Sequence, residues 1–286
     1  MRKPHITPAF AAFAAFGMVL GGLIWLTTPS GASGQTLPAT ATPTSPPAHV
    51  VIVVMENHSL SEALPAATYL TGLARQGVLY TDDTGKSHPS LPNYLDLYSG
   101  STQGQDGSDS CVQLSAANLG TQAAAAHLTI KGYMEGLGGG GNYACRHNPF
   151  AQFTDPTSVH ASVDFSQFPT NYASLPRIAY VSPNTCNDWH DCSIATGDAW
   201  LRTHLNGYAQ WAKTHNSVLI VTTDENNGNG LTDPLMTVVV GQGVRPSTQR
   251  AHVTHDSLLR TLEDWFRLGH LNGSASATPL PGLPRF

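Results

Sequence analysis

Apolar residues recur along the chain in two patterns, short continuous runs and longer stretches with helical spacing. The run from His49 to Met55 (HVVIVVM) is typical of a strand that is buried on both faces of a parallel sheet. Further strands are predicted at 78–80, 128–134, 177–182, 217–223 and 235–240. Helices are predicted at 61–76, 92–99, 116–127, 197–215 and 256–266. This alternation predicts a single-domain α/β fold with a mostly parallel central sheet flanked by helices.

Residues 1–48 have the composition of a targeting segment followed by a linker. Arg2 and Lys3 precede the uncharged stretch 9–26, whose length fits either a long export signal or a short membrane-spanning helix. We predict a signal peptide or N-terminal membrane anchor at 1–34, a Pro/Thr-rich linker at 35–48 and the folded domain at 49–286. In both cases the folded domain would be secreted or extracytoplasmic, and a retained anchor would associate it with a membrane.

The four cysteines fit an oxidising compartment, where disulfides form and persist. Of the three pairings open to four cysteines, we expect Cys111 with Cys145, which flank a Gly-rich stretch, and Cys186 with Cys192 in a polar loop. Their spacings are not those of a structural zinc site.

Composition narrows the classes of function. Charged residues make up 12% of the chain, about half of the roughly 25% that globular proteins carry. The net charge of −5 provides no basic surface, so we expect no nucleic-acid partner. There are 13 histidines against 14 lysines and arginines, which suits metal, phosphate or proton chemistry but also a neutral polar surface.

Acidic and imidazole side chains follow three of the predicted strands. Glu56 and Asn57 follow the first strand, and Asp224 and Glu225 follow the fifth. The polar segment after the fourth strand contains Asp188, His190 and Asp191. Sites in open α/β sheets gather beyond the carboxyl ends of the strands, so these groups are expected to meet. Oxygen ligands favour a hard divalent cation such as Mg²⁺, Ca²⁺ or Mn²⁺.

Ser90 is the candidate nucleophile. It lies in the segment SHPSLPN (87–93), where Pro92 fits the first turn of a helix. Unpaired backbone N–H groups and the positive end of the helix dipole make such a position suitable for a phosphoryl group. A divalent cation beside the serine would polarise a phosphoryl oxygen and favour the alkoxide.

Six motifs occur in the order that is found in one enzyme family. They are ENHS (56–59), HPSLPNY (88–94), NDWHDCSI (187–194), GDAWL (197–201), TDE (223–225) and HDSLLRT (255–261). Over about residues 49–270 the chain resembles the bacterial phosphoesterase family of secreted acid phosphatases and phospholipases C. This resemblance implies an alkaline-phosphatase-like fold and hydrolysis of a phosphorylated small molecule or a phosphoinositide such as phosphatidylinositol 3-phosphate.

The resemblance also implies roles for single residues. Ser90 matches the superfamily's nucleophile, and Asn93 matches a donor to the phosphoryl oxygens. The metal ligands implied are Glu56, Asn57, Asp224 and Glu225. Asp188 and His190 fall where a second metal is bound, but their spacing departs from the usual Asp-x-x-x-His. We therefore expect one divalent cation and regard a second as doubtful.

Histidines are expected to bind phosphate and move protons. The resemblance implies that His190 and His255 contact the phosphate, and that His190 or Asp188 protonates the leaving alkoxide. Protonated imidazoles bind anions better, which predicts an activity optimum below neutral pH. Four further candidates for phosphate or substrate contacts are His88, Arg146, His147 and Asp191.

These four candidates each have a second interpretation. His88 faces either the site or its loop, and Arg146 and His147 either hold a phosphate or form a surface turn pinned by Cys145. Asp191 either binds metal or orients His190.

Two other functions compete with a phosphomonoesterase that acts through a phosphoserine intermediate. A phospholipase C-type phosphodiesterase is one, although such relatives usually carry extra C-terminal domains. A non-catalytic surface module is the other, although it would be expected to have lost acidic clusters that are present here. No oligomeric state is predicted.

Overall fold

The computed structural model describes residues 44–139, 141–228 and 230–286. Nine strands form one sheet: β1 His49–Met55, β2 Val78–Thr84, β3 Ile130–Met134, β4 Ser162–Asp164, β5 Ile178–Ser182, β6 Ser217–Thr223, β7 Leu235–Gly241, β8 Ser247–Gln249 and β9 Val253–Thr254. The helices are α1 Leu60–Ala66, α2 Thr68–Ala74, α3 Ser90–Ser99, α4 Leu119–Ala125, α5 Pro156–Ala161, α6 Ile194–Ala212 and α7 His255–Phe266.

The strand order is β4-β3-β5-β1-β6-β7-β2-β8, and β9 pairs with β2. Within this sheet, antiparallel pairing involves only β7, which lies between β6 and β2. The other pairs are parallel, so the carboxyl ends of β1, β2, β5 and β6 point toward one edge. The predicted α/β fold with a mostly parallel sheet is confirmed.

β1 lies in the middle of the sheet and is buried on both faces. Val50, Ile52 and Val54 belong to one apolar cluster, which includes residues of α3, α4 and α7. Residues 51, 53 and 55 belong to a second cluster, which includes residues of α1, α2 and α6. Because successive strand residues point to opposite faces, a continuous apolar run is what two covered faces require.

The single helix predicted at 61–76 is wrong, because the structure has two helices there. α1 contains Pro65 near its end, and Ala67 leaves helical geometry with φ −87° and ψ 77°. Proline removes a backbone donor and clashes with the preceding turn, which favours a break at this point. The new N-terminus of α2 is held by the Asp198 carboxylate on α6, which accepts from the backbone N–H groups of Tyr69 and Leu70.

Short elements were not predicted, namely β4, β8, β9 and α5. Each has two to six residues, too few to show a periodic pattern. β2 also extends to Thr84, beyond the predicted end at Tyr80. This extension carries the chain up to the loop that precedes Ser90.

Two disulfides join Cys111 to Cys145 and Cys186 to Cys192, which confirms the expected pairing. They fit an oxidising compartment outside the cytoplasm. The segment predicted as signal peptide or anchor lies outside the described residues. Of the predicted linker, residues 44–48 are described, and Asn216 donates a side-chain hydrogen bond to the Pro46 carbonyl. Among the described residues, no helix combines the length and the hydropathy that are needed to cross a membrane.

Candidate active site

The segments that follow β1, β5 and β6 are joined by backbone hydrogen bonds at the carboxyl edge of the sheet. The Glu56 N–H donates to the Asp188 carbonyl over 2.8 Å. The Asp224 N–H donates to the Met55 carbonyl over 2.9 Å. The three segments that carry the acidic residues therefore meet at one edge of the sheet.

Ser90 is the first residue of α3 and is almost fully buried, with 2% of its surface exposed. Its Oγ donates to Glu56 Oε2 over 3.0 Å and lies 3.3 Å from Glu225 Oε1. The hydroxyl thus sits between two carboxylates, at the end of the helix where backbone N–H groups lack helical partners. This position suits a serine that must lose its proton to become a nucleophile.

Three buried carboxylates adjoin this hydroxyl. One oxygen of each of Glu56, Asp224 and Glu225 lies within 4.8 Å of the others. Burial raises the pKa of all three carboxyl groups, and negative neighbours raise those of Glu56 and Asp224 further. Glu56 Oε1 and Asp224 Oδ2 are buried without a hydrogen-bond partner. Buried carboxyl oxygens without hydrogen-bond partners are the ligands that a hard divalent cation prefers, so this cluster fits one.

Asn57 contacts the carboxylate cluster through its backbone. Its backbone N–H lies 3.3 Å from Asp224 Oδ1, and its φ of 53° places it in the left-handed region, which asparagine tolerates better than most residues. Asn57 also lines the cleft that is formed with His88 and Glu225. That its side chain binds the metal stays a prediction.

His147 lies between two of the acidic groups. Its Nε2 is 2.9 Å from Glu56 Oε1, without the alignment of a hydrogen bond, and its Nδ1 is 2.9 Å from Asp188 Oδ2. The ring is buried and stacks on Tyr94, with centroids 5.1 Å apart. An imidazole therefore occupies the space between Asp188 and the carboxylate cluster.

Arg146 and His190 lie nearer the surface. Arg146 Nη2 is 3.1 Å from His190 Nε2, and His190 Nδ1 is 2.7 Å from Asp191 Oδ1. Because arginine can only donate, this pair places the His190 proton on Nδ1, facing Asp191. Asp191 also accepts a hydrogen bond from the Thr185 hydroxyl, which holds the carboxylate in place beside His190. These contacts suit the interpretation in which Asp191 orients His190.

His88 faces the site. Its Nδ1 lies 2.6 Å from Glu225 Oε2. A cleft of about 460 Å³ is lined by Asn57, His88, Pro89, Glu225, Asn227 and Gly228. Glu225 thus connects His88 with Ser90, through one carboxylate oxygen to each.

Asn93 and His255 lie close to the site, and their expected contacts with phosphate stay predictions. Asn93 Oδ1 accepts from the Lys86 N–H and its Nδ2 donates to the Ser87 carbonyl, so the amide shapes the loop before Ser90. His255 is buried and donates from Nε2 to the Asp224 carbonyl. Burial lowers the His255 pKa to about 4, so this ring is neutral at the mildly acidic pH expected for activity.

Asp109 is a site residue that the sequence did not indicate. Its Oδ1 accepts from the Leu91 N–H over 3.1 Å, and its Oδ2 lies 2.9 Å from Arg146 Nε. Asp109 belongs to an irregular polar stretch. The one signal in the sequence that could have indicated it is its position two residues before Cys111, whose disulfide partner Cys145 precedes Arg146.

Comparison with known sequences links this geometry to a family. The model of the phosphoesterase family matches residues 63–269. The chain is 39% identical to a phosphatidylinositol-3-phosphatase from Mycobacterium tuberculosis, over 97% of this chain and 95% of that protein. It is 27% identical to a phosphate-repressible acid phosphatase from Penicillium chrysogenum, over 88% of this chain and 69% of that protein.

Solved structures share the fold at low sequence identity. A protein in the alkaline phosphatase superfamily from Vibrio parahaemolyticus matches with a TM-score of 0.55 and 12% identity, over 85% of this chain and 72% of that one. A phosphonate monoester hydrolase from Silicibacter pomeroyi also has a TM-score of 0.55, with 10% identity over 81% of this chain and 75% of that one. These matches show an alkaline-phosphatase-like fold.

Proposed function

The chain belongs to the phosphoesterase family, and from that premise we propose that it hydrolyses phosphomonoesters through a phosphoserine intermediate. Relatives named for acid phosphatase and phosphatidylinositol-3-phosphatase activity support this class of substrate. Phosphoinositides that carry a 3-phosphate are proposed among its substrates, because the relative of that name matches over nearly the whole length of both chains.

The position of Ser90 carries the proposal. Its hydroxyl lies at the N-terminus of α3 and contacts the carboxylates of Glu56 and Glu225. A carboxylate that accepts the hydroxyl proton favours the alkoxide, and the end of the helix favours the negative charge of a phosphoryl group.

One divalent cation is proposed for the cluster beside Ser90. Glu56, Asp224 and Glu225 would hold it, with Asn57 as a further candidate ligand. Such a cation lowers the pKa of a neighbouring hydroxyl and neutralises charge that develops on a phosphoryl oxygen. The imidazole of His147 already lies against Asp188, which supports a single cation rather than two.

Each residue of the site has its own role in the proposed reaction. Ser90 Oγ attacks phosphorus in line with the leaving alkoxide, and its proton passes to a carboxylate of the cluster. Once Arg146 has turned from His190 Nε2 to the phosphoryl oxygens, His190 donates a proton from that nitrogen to the alkoxide, while Asp191 orients the ring through Nδ1. Arg146 and the N-terminal N–H groups of α3 bind the phosphoryl oxygens. Water then cleaves the Ser90–phosphate ester and releases phosphate.

We propose that the protein is exported. The uncharged N-terminal stretch and the two disulfides support an extracytoplasmic location. Mass determination of the N-terminus of protein recovered from culture medium and from membranes would distinguish a cleaved signal from a retained anchor.

Phosphate release from a panel of substrates tests the proposed activity. We expect hydrolysis of p-nitrophenyl phosphate and of phosphatidylinositol 3-phosphate, loss of activity with chelator, and recovery when Mg²⁺, Ca²⁺ or Mn²⁺ is restored. The choline-bearing diester p-nitrophenylphosphorylcholine is the matched control. Faster cleavage of the diester would favour the phosphodiesterase, and release from no substrate at micromolar protein would favour the non-catalytic module.

A further inference from the structure

Asp109 occupies the two groups that would bind a phosphoryl oxygen beside Ser90. Its Oδ1 accepts from the N–H of Leu91, the residue directly after Ser90, and its Oδ2 lies 2.9 Å from Arg146 Nε. A phosphate on the Ser90 oxygen would seek the same partners, an N–H of the first turn of α3 and an arginine.

An anion can displace Asp109 from its contacts, because the side chain is partly exposed to water. Its side chain is 37% exposed, so water can hydrate it once it leaves the helix end. Its two contacts, with the Leu91 N–H and the Arg146 guanidinium, are single polar contacts at the edge of the site, so an anion that offers oxygens to both groups can replace it.

The Cys111–Cys145 disulfide keeps these groups in register. Cys111 lies two residues after Asp109, and Cys145 immediately precedes Arg146. The covalent link therefore holds the carboxylate and the guanidinium near each other, so the side chain of Asp109 can leave and return while its backbone stays in place.

We propose that Asp109 is an internal competitor for the phosphoryl group, a specificity-determining residue that the substrate displaces from Leu91 and Arg146. This inference rests on the proposed phosphatase function. A ligand that binds only after displacement has its affinity reduced by the fraction of protein in the competent state. Asp109 thus lowers the affinity for weakly held anions and for the product, inorganic phosphate, and favours product release.

Calorimetric titration with inorganic phosphate tests the proposal without turnover. At fixed pH and divalent cation concentration, Asp109→Asn and Asp109→Ala should bind phosphate about five- to thirtyfold more tightly than the wild type, since each removes the competing charge. Asp106→Asn is the matched control, because it removes the same charge from an exposed position in the same loop, and its affinity should stay within about twofold.

Arg146→Gln completes the cycle. The single variant should weaken phosphate binding, and Asp109→Asn should give a smaller gain when Arg146 is replaced as well, because only the competition at the Leu91 N–H is then relieved. Unchanged or weaker phosphate binding by folded Asp109→Asn and Asp109→Ala, with a lower melting temperature, would make Asp109 only a structural cap of α3 and overturn the proposal. If the wild-type protein binds phosphate but hydrolyses no monoester, the proposed function is contradicted. The comparison of phosphate affinities between the wild type and the Asp109 variants stays valid in that case.

Discussion

At the scale of single residues, the site concentrates negative charge and offsets it with imidazoles. Glu56, Asp224 and Glu225 are buried around Ser90, while His147 and His88 contact the outer oxygens of this cluster. Isolated buried carboxylates are costly, so each needs a proton, a cation or a histidine. The buried carboxyl groups that would bind a metal and activate Ser90 therefore make the stability of the fold depend on His147 and His88.

Sequence patterns identified most of these residues but not their partners. Acidic groups after buried strands could be predicted, because the carboxyl ends of parallel strands share an edge. The contacts of His147 could not be predicted, because a disulfide and an irregular loop bring it back to the site. Asp109 carries no periodicity or motif, and the loop-shaping bonds of Asn93 depend on the backbone path at Lys86 and Ser87.

Replacing His147 should destabilise the protein strongly. His147→Ala leaves the buried carboxyl groups of Glu56 and Asp188 without their shared partner, and each buried polar group left unpaired costs about 1–3 kcal/mol. Urea unfolding at neutral pH with chelator measures this loss. His204→Ala, at an exposed position on α6, is the control. A loss below about 1 kcal/mol for His147→Ala would contradict the charge-compensating role.

Replacing His190 should affect substrates according to their leaving group. His190→Gln should lower kcat about a hundredfold for glycerol phosphate, whose alkoxide needs a proton. The loss for p-nitrophenyl phosphate should stay below about tenfold, because nitrophenolate leaves without protonation. Steady-state kinetics on both substrates, with His204→Gln as control, decide this point. Equal losses on the two substrates would exclude His190 as the proton donor.

At the scale of elements, the site is assembled by loops on a rigid sheet. β1, β6 and β7 were predicted almost residue by residue, because strands covered on both faces are continuous apolar runs. The short edge strands β4 and β8 were missed, because three residues carry no pattern. The break between α1 and α2 was missed although Pro65 marks it, because apolar spacing continues across it.

The two disulfides should contribute unequally to stability. Cys111–Cys145 spans 34 residues and Cys186–Cys192 spans six. Cross-linking a longer loop removes more entropy from the unfolded chain, about 4 kcal/mol against about 2 kcal/mol. Urea unfolding of the paired serine variants, Cys111→Ser/Cys145→Ser and Cys186→Ser/Cys192→Ser, tests the order. A greater loss for the shorter loop would show that loop-closure entropy does not decide their contributions.

At the scale of the whole molecule, buried carboxyl groups link stability to pH. Burial raises the pKa of Asp83 to about 6, and burial together with Asp256 raises that of Asp96. A carboxyl whose pKa is raised by folding binds its proton more tightly in the folded state, so stability falls as pH rises from about 4 through the folded pKa. His255 opposes this, because its lowered pKa costs stability as pH falls from about 6.5 to about 4.

Because several carboxyls oppose one histidine, the metal-free protein should be more stable at pH 5 than at pH 8. Melting temperatures in chelator across this range measure the trend. Asp83→Asn, which can keep the hydrogen bond from Thr237, should be more stable than the wild type at pH 8 by on the order of 2 kcal/mol. The partly exposed neighbour Asp82→Asn should have little effect. Stability that rises steadily toward pH 8 would contradict this account.

The turnover of Ser90→Ala is the most direct test of the proposed mechanism. The substitution removes the only oxygen of that side chain and leaves the carboxylate cluster in place. With p-nitrophenyl phosphate and saturating divalent cation, kcat should fall about a thousandfold or more. Ser99→Ala, which removes a buried hydroxyl from the other end of α3, should stay within about tenfold of the wild type. A folded Ser90→Ala protein with turnover within tenfold of the wild type would contradict Ser90 as the nucleophile.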